Sequence, residues 1–190
     1  MAKEPRAGAV KTRLAQGIGV SAATGFYRNT LARQLLSSGH DPRWQSWLAI
    51  APDTALEARC WPMSITPIAQ GRGDLGARMQ RVFDRLPPGP AVIIGSDIPA
   101  IRPRHIAAAF RLLGSADAVF GPAEDGGYWL VGLRRCPRIL KIFRDVRWSG
   151  PQALADTCSN LENQKTRFLE TLYDIDTAED YRRWKRRSAP

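Results

Sequence analysis

Three β-branched apolar residues, Val92, Ile93 and Ile94, run into Gly95-Ser96-Asp97, with Pro99 just beyond. A continuous apolar run of this kind reads as a strand covered on both faces, and it stops at a carboxylate. In open α/β sheets, ligands are held in the crevice beyond the carboxyl ends of strands, so Asp97 stands where a metal or polar substrate would bind. Pro99 ends the strand because it has no N–H to donate. On local grounds alone, Asp97 could equally open a turn, since Asp readily bonds its own backbone.

Four further stretches carry chemistry-bearing residues. The opening segment, residues 2–14, sets Lys3, Arg6, Lys11 and Arg13 around Gly8, and reads as an anion-binding loop rather than a packed strand. It is not a Walker loop: Val10 precedes Lys11, and Pro5 occupies the place of the first glycine. A basic N-terminal arm is the alternative. The second stretch, Gln70-Gly71-Arg72-Gly73-Asp74-Leu75-Gly76, spells a dinucleotide fingerprint, with Asp97 near the distance of a ribose-binding acid. Against that reading, Asp74 would repel the pyrophosphate that a helix N-terminus attracts, and it is better explained as an N-cap. Third, Asp125-Gly126-Gly127-Tyr128 is either a turn or a substrate rim where glycine lets a ligand approach the backbone. Fourth, Asp176 decorates a helix start or is a second carboxylate near Asp97.

These residues need a scaffold. Helical spacing predicts helices over 21–36 with Ser21 as N-cap, over 75–86 ended by Pro87-Pro88-Gly89, and from Pro103 to Leu113. Further helices are expected over 137–143, 152–161 and 178–187, and a short helical stretch over 54–59. Strands are expected over 44–51, 63–69, 92–94, 117–120, 128–133 and 166–173, with Pro67 placing its strand at an edge or bend. The length suits one domain, residues 1–190, with a sizeable core.

Composition narrows the function classes. With 44% hydrophobic and 24% charged residues the chain is globular, and no apolar run approaches the roughly 20 residues of a membrane span. No signal peptide is visible. Cys60, Cys136 and Cys158 are odd in number and far apart, which excludes a disulfide framework or zinc knuckle and fits a reducing cytoplasm. The net charge of +10 admits a polyanion, an acidic membrane surface or a phosphorylated small substrate. Part of it clusters at Arg182, Arg183, Lys185, Arg186 and Arg187, which read as a solvated helix face. A nucleic-acid-binding module lacks support: there is no helix-turn-helix, RNA-binding aromatic motif or zinc pattern.

Taken together and in order, five blocks resemble a family. They are the basic loop from Lys3 to Leu14, Gln70-Gly71-x-Gly73-Asp74-Leu75-Gly76-x-Arg78-Met79, Gly95-Ser96-Asp97-Ile98-Pro99, Gly121-Pro122-Ala123-x-Asp125-Gly126-Gly127-Tyr128-Trp129-Leu130, and Asp174-Ile175-Asp176-Thr177-Ala178-Glu179-Asp180. This order is similar to that of bacterial glycosyltransferases of the arsenosugar-biosynthesis type, which in turn resemble the molybdenum-cofactor and 2-phospholactate guanylyltransferases. The resemblance implies a GT-A, nucleotide-diphospho-sugar transferase-like fold: a three-layer α/β/α sandwich with a mixed, mostly parallel sheet. It implies that Lys3, Arg6, Gly8, Lys11 and Arg13 hold nucleotide phosphates, and that Gln70, Gly71, Gly73 and Asp74 lie against base or ribose. Asp97 and Asp176 would coordinate Mg2+ or Mn2+, whose hard charge needs oxygen ligands. Asp125 would act at the acceptor, beside Gly126, Gly127 and Tyr128. The implied partners are a nucleotide-sugar or nucleoside triphosphate donor and a small acceptor. Glycosyl transfer leads; nucleotidyl transfer with pyrophosphate release is the alternative, and a dinucleotide-dependent oxidoreductase a remote one.

One departure is serious. In the family an apolar first strand precedes the basic loop, whereas here Met1 stands two residues before Lys3. The sheet is therefore expected to lack that strand and to leave backbone edges without partners. A start codon assigned too late is the expected cause. In-frame upstream residues would then encode an apolar strand, and a stop codon immediately upstream would refute this.

Overall fold

A computed structural model describes residues 1–188. Seven strands form a mixed sheet in two parts. In the first, β1 (Ala2–Lys3), β2 (Trp47–Ala51) and β3 (Thr66–Ala69) are parallel, in that order. The second part has the order β4 (Ala91–Ile94), β6 (Tyr128–Leu133), β5 (Ala118–Pro122), β7 (Thr166–Phe168). Within it only β6 runs against its neighbours. Pro67 does lie in an edge strand, where a missing donor costs no ladder bond.

Helices α1 (Thr12–Ile18), α2 (Val20–Ser38), α3 (Leu75–Arg85), α4 (Pro103–Leu113), α5 (Ala153–Ser159) and α6 (Ala178–Ser188) cover the sheet. Alternation along the strands divides the layers. Ala91 and Ile93 of β4 pack with Met79, Val82 and Phe83 of α3. Val92 and Ile94 turn the other way, toward Ala109 and Leu113 of α4. In β2, Ala49 shares the α3 core, whereas Leu48 and Ile50 meet Tyr27 and Leu31 of α2. The three-layer α/β/α arrangement expected from the sequence is thus present.

The first strand is a correction. The opening segment, read as loop throughout, begins with two strand residues: Ala2 pairs with Ile50 and Lys3 with Ala51, and Ala2 is buried. The strand is short, and the sheet parts beside it. One link across the parting is the Met1 ammonium, which donates to the Ile94 carbonyl at 2.7 Å. On one side of the stub, a cavity of about 470 Å3 opens between Leu48 and Ala49 of β2 and Val92 to Ile94 of β4. The buried Gln70 amide ties the stub down by donating to the carbonyls of Ala2 (3.0 Å) and Ala49 (2.9 Å).

Other differences have local causes. Residues 12–18 form a helix not expected from the basic loop. Helix α2 starts on Gly19, not Ser21. The 54–59 stretch shrinks to a 3-10 turn, Asp53–Ala55. Residues 137–143 are not helical. The Asn160 side-chain amide donates to the carbonyls of Ile142 (3.1 Å) and Arg144 (2.8 Å), so these groups are satisfied without an intrahelical partner. Ile142 and Phe143 still reach the core. The late strand narrows to Thr166–Phe168, with one further parallel bridge from Ala123 to Leu172.

Gln70→Ala is expected to lower unfolding stability by about 2 kcal/mol, because two buried carbonyls lose their shared donor. Urea denaturation should show a lower midpoint at unchanged slope; an unchanged midpoint would mean that the amide does not hold β1.

Candidate active site

A cavity of about 410 Å3 lies at the ends of β1, β4 and β6. Its wall includes Lys3, Lys11 and Arg13 from the basic loop, Gly95 to Asp97 after β4, and Asp176 before α6. The central contact joins three of these segments. The Lys11 ammonium lies 2.8 Å from Asp97 Oδ2 and 2.7 Å from Asp176 Oδ1, and its side chain is only 4% exposed. Arg13 Nη1 is 3.7 Å from the other Asp176 oxygen, in solvent. Burial works to lower the Lys11 pKa, but Asp97 and Asp176 outweigh it and hold the group above its ordinary value.

Helix α2 positions both loops. The Tyr27 hydroxyl accepts from the Lys3 backbone N–H at 2.9 Å and lies 3.0 Å from Ser96 Oγ. About two turns further on, Gln34 donates to the Ile98 carbonyl at 2.9 Å. Two buried polar side chains of one helix thereby fix the basic loop relative to the turn that carries Asp97. None of the three is among the residues expected at the site: Tyr27 reads as an apolar-face position of the 21–36 helix and Ser96 only as part of the run to Asp97, and neither spacing marks a partner.

The loop 70–76 holds itself closed. Asp74 is the N-cap of α3, accepting from Ala77 N at 2.7 Å, as expected. The Gly71 N–H donates to Asp53 Oδ1 at 2.9 Å, and the Gly71 φ of 75° lies in the left-handed region. A Cβ there would stand 2.6 Å from the Arg81 guanidinium, which donates to the Gln70 carbonyl. Arg78 donates to the Gly73 carbonyl at 2.9 Å and lines the cavity with Leu75 and Met79. Gln70 also lines it, with its amide committed to the sheet.

Of the remaining expected residues, Tyr128 lines the cavity and the others lie outside its wall. Arg6 and Gly8 are exposed on the basic loop and are not part of the cavity wall. Asp125 Oδ1 accepts from Gly127 N at 2.9 Å, closing a turn. At Gly126, φ is 84° and a Cβ would lie 2.2 Å from the Pro151 carbonyl oxygen, so glycine is required by packing at this position. Tyr128 lines the cavity, but its hydroxyl is turned to Thr157 at 3.4 Å, and burial pushes its pKa up.

A further carboxylate was missed. Asp174 is half-buried, and burial together with Asp176 and Asp125 raises its pKa to about 6. The Asp97 charge adds to the same rise. Alternation could have found it: Ile175 is fully buried, which sends residues 174 and 176 the other way.

The donor set suits a hard divalent ion. Two carboxylate oxygens already converge on one cationic atom, the Lys11 nitrogen, at hydrogen-bond distance. Among the described residues no cluster of three or more His, Cys, Asp or Glu side chains is arranged to hold a metal. Phosphate and water oxygens would have to complete the shell.

Between about pH 4, the range of an unfolded carboxyl, and pH 6, the folded protein binds more protons at Asp174. Stability contributed there is present below pH 4 and lost as pH rises through 6. Asp174→Asn should therefore stabilise the protein at pH 7.5 by about 1 kcal/mol, the shift being discounted for partial solvation, and by nothing at pH 3.5. Urea titrations in a chelator check this; equal gains at both pH values would remove the electrostatic cause.

Known proteins share the fold. The crystal structure of a candidate nucleotide-diphospho-sugar transferase from Desulfovibrio desulfuricans G20 superposes with a TM-score of 0.84 at 29% identity, covering 98% of this chain and 84% of that one. Rv0371c of Mycobacterium tuberculosis H37Rv, in complex with manganese, matches with a TM-score of 0.53 at 18% identity over 83% of this chain and 84% of its own. The CMP:2-keto-3-deoxy-manno-octonic acid synthetase complexed with CTP matches at 0.54 and 13% identity, over 86% and 88%. These last two show the fold alone. No curated protein matched the sequence. No helix among the described residues is long and apolar enough to cross a membrane. The sequence profile of a family described as an uncharacterized protein conserved in bacteria, DUF2064, matches residues 34–150, more than half the chain, and the chain belongs to that family.

Proposed function

We propose that the protein is a metal-dependent transferase that takes a group from a nucleotide-activated donor, and specifically a glycosyltransferase. The observation that carries this is the convergence of Asp97 and Asp176 on one cation position, beside basic residues, in a cavity at the strand ends. The likeness to the candidate nucleotide-diphospho-sugar transferase, at 29% identity over nearly the whole chain, supports it.

Each part has a role. Lys3, Lys11 and Arg13 would pair with the donor diphosphate and offset the charge that grows on it as it leaves. Asp97 and Asp176 would hold Mg2+ or Mn2+, which when bound supplies Lewis-acid stabilisation of phosphate oxygens. Leu75, Met79 and Arg78 offer an apolar wall and a cation for the nucleoside. Asp125, whose charge acts on Asp174 together with those of Asp176 and Asp97, would stand at the acceptor end. There the acceptor oxygen bonds to the anomeric carbon, the bond from that carbon to the phosphate oxygen breaks, and the acceptor proton passes to the Asp125 carboxylate. Tyr27, Ser96 and Gln34 position the two loops without touching the donor.

A thermal-shift panel of nucleoside diphosphates and nucleotide sugars with Mn2+ tests the reading. A ligand at 100 times its Kd should stabilise the native state by about 2.7 kcal/mol, and Asp97→Asn should lose the metal-dependent part while remaining folded. No shift with any nucleotide, with or without metal, overturns the proposal. Release of pyrophosphate from a nucleoside triphosphate, in place of a nucleoside diphosphate from a nucleotide sugar, would reassign it as a nucleotidyltransferase.

A further inference from the structure

The Lys11 side chain occupies the place that the proposed chemistry reserves for a metal. Its nitrogen sits 2.8 Å from Asp97 and 2.7 Å from Asp176, one oxygen of each. A divalent ion bridging the same carboxylates would need oxygens at roughly 2.0–2.2 Å, so ion and ammonium cannot both stand between them. Coulomb repulsion between two cations at that separation forbids a shared position as well.

We infer that Lys11 is a stand-in cation, which holds the Asp97 and Asp176 pair until donor phosphates draw it off, and so couples metal binding to nucleotide binding. The inference rests on the transferase reading for the identity of the phosphate ligand. Its geometry is independent of that reading. Lys11 emerges from the backbone at a left-handed φ of 49°, immediately before the first turn of α1, and its side chain is almost wholly buried. Its ammonium has two anionic partners, both carboxylates. Metal entering alone would displace a buried ammonium and leave it unpaired, which is strongly unfavourable. Metal entering with a diphosphate gives that ammonium a new anionic partner within reach of a flexible four-carbon stem. The converse also holds. A diphosphate that takes Lys11 without metal leaves Asp97 and Asp176 facing it uncompensated. Each ligand is therefore opposed alone and favoured with the other, and reciprocity requires the same coupling in both directions.

The intact chain and Lys11→Met are compared first for Mn2+ alone, by calorimetry. The variant should bind Mn2+ at least tenfold more tightly, since its carboxylates carry no competing cation, whereas Lys11→Arg should stay as weak as the parent. Lys11→Gln, which keeps a polar end without the charge, should bind as tightly as Lys11→Met and serves if the latter does not fold. Equal or weaker Mn2+ binding by both neutral variants overturns the inference. In a second arm, thermal shifts with a nucleoside diphosphate, Mn2+ and both together should exceed additivity in the parent and become additive in the neutral variants. If no nucleotide shifts the parent while the neutral variants still tighten Mn2+, the transferase reading fails and the stand-in role stands. If nucleotides shift the parent and Mn2+ affinity is the same with or without Lys11, the reverse holds.

Discussion

A buried ammonium shared by two carboxylates ties together segments that lie far apart along the chain: the loop before α1, the turn after β4 and the approach to α6. Taking Lys11 out of water is costly, and two attractions are needed to offset it. A fold seeking stability alone would do as well with apolar packing at that point. The arrangement makes sense where the charges have a second use, because carboxylates assembled around a removable cation are pre-positioned for another. The supporting contacts fit this view. Tyr27 and Gln34 spend buried polar groups on the backbone and side chains of the two loops, fixing where the charges meet.

The floor under this site is unusual. Strand β1 has two residues, and the sheet parts beside it, so a stub that supplies the cavity's Lys3 is held by few backbone bonds. Gln70 makes up part of the deficit, and the Tyr27 hydroxyl, bonded to the Lys3 N–H, makes up more. One loop therefore serves two ends: it lines one side of the cavity and secures the strand that carries Lys3 on the other. Two cavities flank the stub, of about 410 and 470 Å3, and the residues Met1 and Ala2 border both.

Much of this was legible in the sequence where the signal was local. The apolar run ending at Asp97, the Asp74 cap with its helix, and the helix opened by Pro103 all rest on residues whose neighbours in sequence decide their state. Elements decided by distant partners were not legible. Two residues, Ala2 and Lys3, carry no periodicity, and they become strand only because Ile50 and Ala51 are there to pair. Residues 137–143 have an apolar pattern that suits a helix, yet Asn160, well beyond the segment, takes the carbonyls of Ile142 and of Arg144 just past it. The same division runs through the site. Lys11, Asp97 and Asp176 carried charges at motif positions and the structure brings them together, while Tyr27 and Ser96 act through a contact that no spacing reveals.

The glycine loop shows how geometry separates two functions that share a spelling. For a dinucleotide, the backbone amides after a strand must point free at a pyrophosphate. Here the Gly71 N–H is given to Asp53 and the Ala77 N–H to Asp74, so carboxylates of the protein already occupy two of the donors a pyrophosphate would use. The positive charge that could receive phosphates lies instead across the cavity, in Lys3, Lys11 and Arg13. Elsewhere, on α6, Arg183 pairs with Glu124 and stacks over Tyr173, so this cation is engaged within the protein. On the proposed transferase reading, a phosphate-bearing ligand would meet its counter-charge at the end of β1 and its nucleoside wall at α3, with the carboxylate pair beside that counter-charge. A hydride-transfer site built on the amides of the glycine loop would find them already engaged.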